Sequence, residues 1–248
     1  MASEKRNYLL EQVVAVVVSG PQGKVLDLGC GNGRTGKMIA DRGFPVEACD
    51  MDSDRFEFHN VIPFRQGNLD SRLPYDDQTF DCVILMEVIE HVYNPGFVIG
   101  EISRILKPGG RLVLSTPNIL NISSRLRFLF EGSFDFFREP TLDYAKCFPV
   151  AIQNMHVIPW RYQDLEYLLA RNGLEAGRVL ADKRKMALLF PLLLVMPMIL
   201  IQSLTKVTRG RAKGGVDYVR MSTILLSPDM LLGRHLIVES IKKAPAIP

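Results

Sequence analysis

Two stretches of this sequence carry residues suited to binding or chemistry. The first, "VLDLGCGNGRTG" at residues 25–36, places Gly29, Gly31 and Gly33 directly after an apolar run. Because glycine has no Cβ and tolerates positive φ, such a loop lets a ligand approach the main chain. The free N–H groups of a following helix would face the same ligand. The loop therefore predicts a binding site for a ligand with polar or ionised groups, although glycine-rich turns also serve simple tight packing.

The second stretch, "EVIEH" at residues 87–91, follows the apolar run "FDCVILM". If a helix begins here, Glu87, Glu90 and His91 are spaced i, i+3 and i+4 and share one face. Two carboxylates and an imidazole together suit a divalent metal ion, Mg²⁺ or Mn²⁺, which lowers the pKa of a coordinated hydroxyl group. The spacing therefore indicates candidate groups for activating a hydroxyl.

The elements that must position these residues alternate between apolar runs and helical stretches. The predicted strands are "KVLDLG", "PVEACD", a short run near 62–66, "FDCVILM" and "RLVLSTP", with helices over 4–18, 34–42 and roughly 95–106 and a turn at "KPGG". Strands without polar alternation indicate a mostly parallel sheet that is covered on both faces. Right-handed crossovers make it a doubly wound α/β sheet, whose ligands bind beyond the carboxyl ends of the strands. The glycine loop falls at that edge.

Two ligands compete for the loop. A dinucleotide fingerprint needs a third glycine at position 34, where this chain has Arg34. Asp27, at the end of the first strand, would repel a pyrophosphate but suits a ligand with an ammonium group, such as S-adenosylmethionine. Asp50 ends the second strand and is placed to accept hydrogen bonds from ribose hydroxyls. A dehydrogenase is further disfavoured because no Tyr–Lys pair can be placed.

The order of these motifs resembles the class I S-adenosylmethionine-dependent methyltransferases. The resemblance runs from "VLDLGCGNG" through "ACDMD" and "EVIEH" to "STPN", covers residues 20 to about 180, and resumes faintly at "LLGRHLIVESIKK". It is closest to the branch with the ubiquinone-biosynthesis O-methyltransferases, and it implies a seven-stranded Rossmann-like sheet. The resemblance implies these cofactor-binding residues: Asp27, Gly29, Gly31 and Gly33 at the methionine moiety, Asp50 at the ribose, and Met51, Asn68 and Leu69 at the adenine. The family more often has Asp at Asn68, but an amide both donates and accepts.

The resemblance also implies roles for the second stretch. Ubiquinone-type and small-RNA 2′-O-methyltransferases look similar here and use the cluster for a metal. In the latter a further histidine precedes an aromatic residue, as His156 does in "MHVIPW". The implied catalytic and metal-binding set is Glu87, Glu90, His91 and His156. Many relatives carry the Glu–His pair with no established metal; there it orders the loop and contacts the substrate. His156 has a buried structural histidine as its alternative, and His59 and His235 are interpreted as structural.

The predicted domain organisation has an insertion before the last strand. Residues 1–181 form the methyltransferase core, with 118–158 as an acceptor lid rich in Phe and Arg. Residues 182–231 form a hydrophobic membrane-associating insertion, and 232–248 form the last core strand and tail. The segment "MALLFPLLLVMPMILIQSL" at 186–204 has no charged residue, is flanked by Lys and Arg on both sides, and contains two prolines. These features predict a re-entrant or in-plane anchor rather than a crossing.

Composition narrows the function classes further. With 30 basic and 27 acidic side chains the net charge is only +3, which is too mild to indicate a nucleic-acid partner. The four scattered cysteines and the N-terminal residues without signal-peptide anatomy predict a cytoplasmic protein, and residues 186–204 predict that it is membrane-associated. The sequence thus predicts an S-adenosylmethionine-dependent methyltransferase acting on oxygen of a small or lipid-linked acceptor. The alternatives are a non-catalytic S-adenosylmethionine-binding scaffold and an N- or C-methyltransferase of a soluble metabolite.

Overall fold

The structure, a computed structural model, describes residues 2–137, 156, 158–184 and 218–243, together with eleven positions between 186 and 208. Its helices are α1 Ala2–Val18, α2 Arg34–Ala40, α3 Pro95–Ile105, α4 Ile122–Glu131, α5 Tyr162–Arg171, α6 Tyr218–Leu225 and α7 Pro228–Leu232, with a 3₁₀ turn at Ser53–Arg55. Its strands are β1 Val25–Leu28, β2 Val46–Asp50, β3 Phe64–Gln66, β4 Phe80–Met86, β5 Leu106–Pro117, β6 Leu174–Ala181 and β7 His235–Lys242. Strands and helices alternate as the sequence predicts.

The seven strands form one sheet in the order β3-β2-β1-β4-β5-β7-β6. Strands β1 to β5 pair in parallel, whereas β7 runs antiparallel to both of its neighbours, β5 and β6. The strand order reverses beside β1, and the chain crosses over through helices on both faces. The predicted doubly wound, mostly parallel seven-stranded sheet is therefore confirmed.

Buried side chains fill both faces of this sheet. Leu26 and Leu28 of β1 point into a core covered by α3 and α5, whereas Val25 points into a second core covered by α1 and α2. The same alternation recurs along β4 and β5, where both sets of side chains are fully buried. This is why these strands read as continuous apolar runs without a polar face.

The edge where the parallel strands end is the functional edge of the sheet. Asp27 of β1 lies beside Ile84 of β4, so the loop after β1 and the residues after Met86 leave neighbouring strands together. Because β7 runs the other way, its first residue, His235, pairs with Pro117 at the end of β5. The topology therefore gathers the glycine loop, the "EVIEH" stretch and the start of β7 at one edge.

The predicted helix at "EVIEH" is wrong. After β4 ends at Met86, Glu87 adopts a positive φ of 54°, and the next residues form a turn closed by a hydrogen bond from the His91 N–H to the Val88 carbonyl. Helix α3 starts only at Pro95, where the Asn94 side chain accepts the Phe97 N–H as an N-cap. The three candidate side chains are therefore held by a turn and not by one helical face.

The turn at "KPGG" is included in a longer strand than the sequence predicts. Strand β5 begins at Leu106, which pairs with Phe80, and the register then shifts before Arg111 pairs with Cys82. Gly109 takes a φ of 76° within this irregular part, which suits a residue without Cβ. The irregularity lies at the far end of β5 from the functional edge.

The insertion before β7 is described only in part. Met186, Phe190, Leu193, Ile201 and Leu204 are exposed, each with more than 60% of its surface accessible. Among the described residues, no helix is both long and apolar enough to cross a bilayer. About half of the predicted anchor at 186–204, and residues 138–155 and 157 of the acceptor lid, lie outside the described residues, so these boundaries stay predictions.

Candidate active site

The glycine loop after β1 has one face packed by protein and one face open. Gly29, Gly31 and Gly33 all have positive φ, at 69°, 54° and 82°. A Cβ at Gly29 would lie 2.6 Å from the Val88 side chain, and one at Gly33 would lie 2.3 Å from the Phe56 ring. A Cβ at Gly31 would meet no atom within 4 Å. Gly31 is thus the point where the main chain faces space that a ligand can occupy.

Asp27 lies beneath this loop and is only 2% exposed. Its Oδ2 accepts the N–H of Gly36 in the first turn of α2 at 2.8 Å. Burial, together with the nearby charge of Asp50, raises the pKa of Asp27 from 3.8 to about 7, although the Gly36 hydrogen bond acts in the opposite direction. A positively charged ligand above the loop would favour the ionised form of this carboxyl group.

Asp50, the last residue of β2, contacts the glycine loop through its side chain. Its Oδ2 accepts the Gly31 N–H at 2.8 Å, and its Oδ1 accepts the Asp52 N–H at 3.1 Å. The next residue, Met51, leaves 49% of its surface accessible, which is unusual for an apolar side chain beside a binding loop. These positions agree with the predicted ribose and adenine contacts, which stay predictions.

The remaining predicted adenine contacts lie after β3. Asn68 is exposed and its Oδ1 accepts the Asp70 N–H at 2.9 Å, which fixes the direction of the amide. Leu69 packs against the core that α3 and α5 cover. The Gln66 side chain donates to the Met51 carbonyl at 2.9 Å, so the loop after β3 is tied to the residue that follows β2.

Three of the predicted catalytic side chains meet at the turn after β4, whose Val88 borders Gly29 of the glycine loop. Ligand atoms of Glu90, His91 and His156 lie within 4.8 Å of one another. His156 reaches the turn because the Ile158 N–H donates to the Glu90 carbonyl at 3.1 Å and the Trp160 indole donates to the Ile89 carbonyl at 3.3 Å. The sequence separates these residues by 65 positions, but the fold brings the two segments together.

Glu90 is the most buried member of this trio. It is 0% exposed, and burial raises its pKa to about 7, although a hydrogen bond from the Thr116 hydroxyl to Oε2 partly opposes this rise. Within the described part of the chain, no hydrogen-bond donor reaches its Oε1, which lies 4.0 Å from the His91 Nε2. A buried carboxylate oxygen without a hydrogen bond is costly, so this atom is a candidate for binding a proton, a cation or a substrate group.

Glu87 is held apart from the trio by different partners. Ser115 donates its hydroxyl proton to Glu87 Oε1 at 2.9 Å, and Glu87 Oε2 lies 3.5 Å from the Nε2 of His235. Burial and the neighbouring charge of Glu90 raise the pKa of Glu87 to about 7. Its role as a metal ligand stays a prediction.

Sequence reasoning missed two residues at this edge, His235 and Asp182. His235, interpreted as structural, contacts Glu87 and packs its ring against Phe136 with 5.1 Å between centroids. Asp182 follows β6 and contacts the His235 ring at 2.7 Å. The direction of the last strand could have predicted the position of His235. A last strand that runs antiparallel begins at the edge where the parallel strands end, and His235 is its first residue.

Comparisons with known proteins show which family this chain resembles. Residues 26–114, which span the glycine loop and the turn after β4, match the family described as a methyltransferase domain. The chain is 28% identical over 185 residues to a ubiquinone biosynthesis O-methyltransferase of Alkalilimnicola ehrlichii, covering 66% of this chain and 75% of that protein. A protein of the same name from Vibrio atlanticus is 30% identical over 146 residues, covering 52% of this chain and 60% of the relative.

Solved structures of other methyltransferases share this fold. A SAM-dependent methyltransferase from Archaeoglobus fulgidus superposes with a TM-score of 0.57 at 15% identity, covering 94% of each chain. At that identity the likeness concerns the fold alone. The domain match and the sequence relatives, and not this superposition, indicate S-adenosylmethionine as the ligand class. The chain carries a methyltransferase domain of the class I, S-adenosylmethionine-dependent type.

Proposed function

We propose that this enzyme transfers a methyl group to a hydroxyl oxygen of an apolar, lipid-linked acceptor. The observation that carries the proposal is the convergence of Glu90, His91 and His156 at the turn whose Val88 borders the glycine loop. A hydroxyl acceptor must lose its proton when it is methylated, whereas methylation of an activated carbon or an unprotonated amine makes less demand on a base. The names of the relatives favour the same acceptor atom.

The chain's own residues supply alignment and proton removal. When bound, S-adenosylmethionine supplies a methyl group on a sulfonium centre, so the leaving group is already activated. His91 accepts the hydroxyl proton, and the buried Glu90 carboxylate balances the charge of the resulting imidazolium. Val88 and the glycine loop are in contact, so the turn that carries these groups adjoins the cofactor loop.

The experiment that tests this function measures transfer of a labelled methyl group to two matched probes. 4-Octylcatechol carries hydroxyl groups and 4-octylaniline carries an amine on the same ring and tail. We expect label on the oxygen of the catechol and none on the aniline. Label on the nitrogen alone, or none on either probe despite cofactor binding, would favour the N-methyltransferase or scaffold alternative.

The same trio also fits a divalent cation. The Nδ1–H of His156 donates to the Phe136 carbonyl at 2.8 Å, since a carbonyl only accepts, and this leaves Nε2 free of a proton in the neutral ring. A backbone partner on the far nitrogen is the usual arrangement of a metal-bound histidine. With the unpaired Oε1 of Glu90, the site offers one carboxylate and two imidazoles for Mg²⁺ or Mn²⁺. Such an ion would lower the pKa of the acceptor hydroxyl.

Chelation distinguishes the metal from a metal-free base. If an ion is used, excess chelator should lower transfer to 4-octylcatechol by about 10²-fold or more, because lowering a hydroxyl pKa is worth several kcal/mol. Mg²⁺ or Mn²⁺ should restore the rate, and a His156→Ala variant should not respond to either. Full activity in excess chelator would leave His91 as the base and remove the ion from the mechanism.

An exposed apolar surface supports the lipid-linked acceptor. It comprises the end of α4 and the described positions of 186–204, here called the apolar surface. Phe128, Leu129 and Phe130 are 49%, 72% and 79% exposed. Met196 packs with Leu126 against a small core beneath α4, which joins the two parts. Contiguous exposed apolar groups mark interaction sites, and basic residues flanking the segment suit an anionic bilayer surface.

Sedimentation with lipid vesicles measures this surface. Wild-type protein should bind vesicles containing anionic lipid, and Leu129→Ser with Phe130→Ser should weaken binding by about tenfold or more, since each side chain contributes roughly 2 kcal/mol when buried. Val61→Ser is the matched control, because Val61 is 58% exposed in the loop before β3. Equal sedimentation of wild type and double variant, or concentration-dependent self-association in place of vesicle binding, would contradict the proposal.

A further inference from the structure

His235 is held in one orientation by Asp182. The Oδ1 of Asp182 accepts the backbone N–H groups of Arg234 and His235 at 3.1 and 2.9 Å. Its Oδ2 lies 2.7 Å from the Nδ1 of the His235 ring. Burial raises the pKa of Asp182, but the hydrogen bonds from the ring and the backbone outweigh burial and leave it below its ordinary value. Asp182 is therefore an ionised carboxylate that accepts on both oxygens.

This arrangement fixes which nitrogen of the ring faces the site. An ionised carboxylate has no proton to donate, so Nδ1 of His235 must carry the proton in their contact. The other nitrogen, Nε2, is directed at Glu87 Oε2 across 3.5 Å. Ser115 binds the second oxygen of Glu87 from the opposite side. The Glu87 carboxyl group is thus held between a hydroxyl and an oriented imidazole.

His235 is also connected, through Phe136, to the cluster of Glu90, His91 and His156. The Phe136 ring packs on His235, and the Phe136 carbonyl accepts the His156 Nδ1–H at 2.8 Å. The His156 ring in turn lies 4.7 Å from the His91 ring. His91, His156 and His235, three of the four histidines in the chain, therefore lie in one cluster. Glu87 and Phe136 are two of the three non-glycine residues with positive φ in the described chain, and such backbone strain concentrates at functional sites.

We propose that His235, oriented by Asp182, is a positioning residue that fixes the Glu87 carboxyl group toward the acceptor hydroxyl. The proposal rests on the proposed function, because it assigns Glu87 to the acceptor side of that site. In the described part of the chain, neither His235 nor Glu87 forms a hydrogen bond or ion pair with the glycine loop, so we expect the pair to act on acceptor binding and alignment and not on the cofactor. If His235 only held β6 and β7 together, its contact with Asp182 would be enough. The second contact, between Nε2 and the Glu87 carboxyl group, favours a positioning role.

The first test reads the ring directly and needs no acceptor. With only four histidines, long-range ¹H–¹⁵N spectra of ¹⁵N-histidine-labelled protein resolve each ring. We expect His235 to carry its proton on Nδ1, and Asp182→Asn to change that pattern. Glu87→Gln should shift the Nε2 resonance of His235 and leave that of the exposed His59 unchanged. A His235 ring protonated only on Nε2, or one indifferent to both substitutions, would overturn the proposal.

The second test separates positioning from mere packing. The amide nitrogen of Gln reaches the place of Nε2, whereas that of Asn reaches the place of Nδ1. With 4-octylcatechol as probe, His235→Asn should raise KM or lower kcat by about tenfold or more, as misplaced groups do, and His235→Gln should recover most of this loss. The dissociation constant for S-adenosylmethionine should stay within about twofold in both.

The outcomes separate the two hypotheses. Equal losses in the Asn and Gln variants, with a matching fall in thermal stability, would make His235 structural and overturn the proposal. His59→Gln is the control for a histidine outside the site. If wild type transfers nothing to the catechol, the proposed function fails, and the spectra alone still decide whether His235 orients Glu87.

Discussion

Glu90→Gln is expected to lower kcat for methyl transfer by about 10²–10⁴-fold, the range for loss of a group that supports proton transfer. Glu90 is fully buried, and its Oε1 has no hydrogen bond in the described part of the chain. Gln keeps the size and can still accept from Thr116, but it neither balances a protonated His91 nor binds a cation. Chemistry should fail while the fold and the cofactor loop persist.

The control for this variant is Glu11→Gln, which removes an exposed carboxylate from α1. Initial rates of transfer of a labelled methyl group give kcat and KM, and calorimetry gives the affinity for S-adenosylmethionine. We expect cofactor affinity within about twofold of wild type, since a change below 0.5 kcal/mol is expected for a group outside the loop. A Glu90→Gln enzyme with near-normal kcat would remove Glu90 from the reaction.

Asp27→Asn is expected to stabilise the cofactor-free protein at pH 8 and to have little effect at pH 4. Burial raises the pKa of Asp27 from 3.8 to about 7 in the folded protein. Between these values the folded state binds more protons than the unfolded state, so stability falls as pH rises through this window. The loss is complete above the folded pKa and is on the order of 4 kcal/mol.

Thermal unfolding at a series of pH values measures this effect. Wild-type Tm should fall between about pH 4 and pH 7, because Glu87 and Glu90 also have pKa values raised to about 7 and act with the same sign. The Asn variant should lose part of this slope, since its amide does not titrate and can still accept the Gly36 N–H. Parallel Tm curves for wild type and variant would show that Asp27 does not titrate in this window.

Much of the fold could be predicted because parallel strands buried on both faces have a clear sequence pattern. "FDCVILM" coincides with β4, since its alternate side chains enter two different cores. Helix α3 begins at Pro95, after the Asn94 cap, which agrees with the helix predicted over roughly 95–106. The turn after β4 was missed because Glu87 adopts a positive φ, and nothing in its residue type predicts that conformation.

Site residues within the sequence motifs could be predicted. Site residues that meet only through the pairing of distant strands could not. Gly31 and Asp50 are 19 positions apart but lie at neighbouring strand ends, so their contact follows from the fold class. His235 and Asp182 are 53 positions apart across an insertion, and their contact depends on the pairing of β6 with β7. Only the register of the last two strands brings this pair to Glu87.

The measurement that tests the central claim most directly is calorimetric binding of S-adenosylmethionine and of NAD⁺ to wild type, Asp50→Ala and Asp54→Ala. The glycine loop should bind one S-adenosylmethionine and no NAD⁺. Asp50→Ala should weaken that binding by about 10–100-fold, because a charge-assisted hydrogen bond of roughly 1.5–3 kcal/mol is lost. Asp54, an exposed carboxylate beyond the ribose position, should be replaceable without effect. Binding of NAD⁺, or equal affinity for S-adenosylmethionine in all three proteins, would contradict the account.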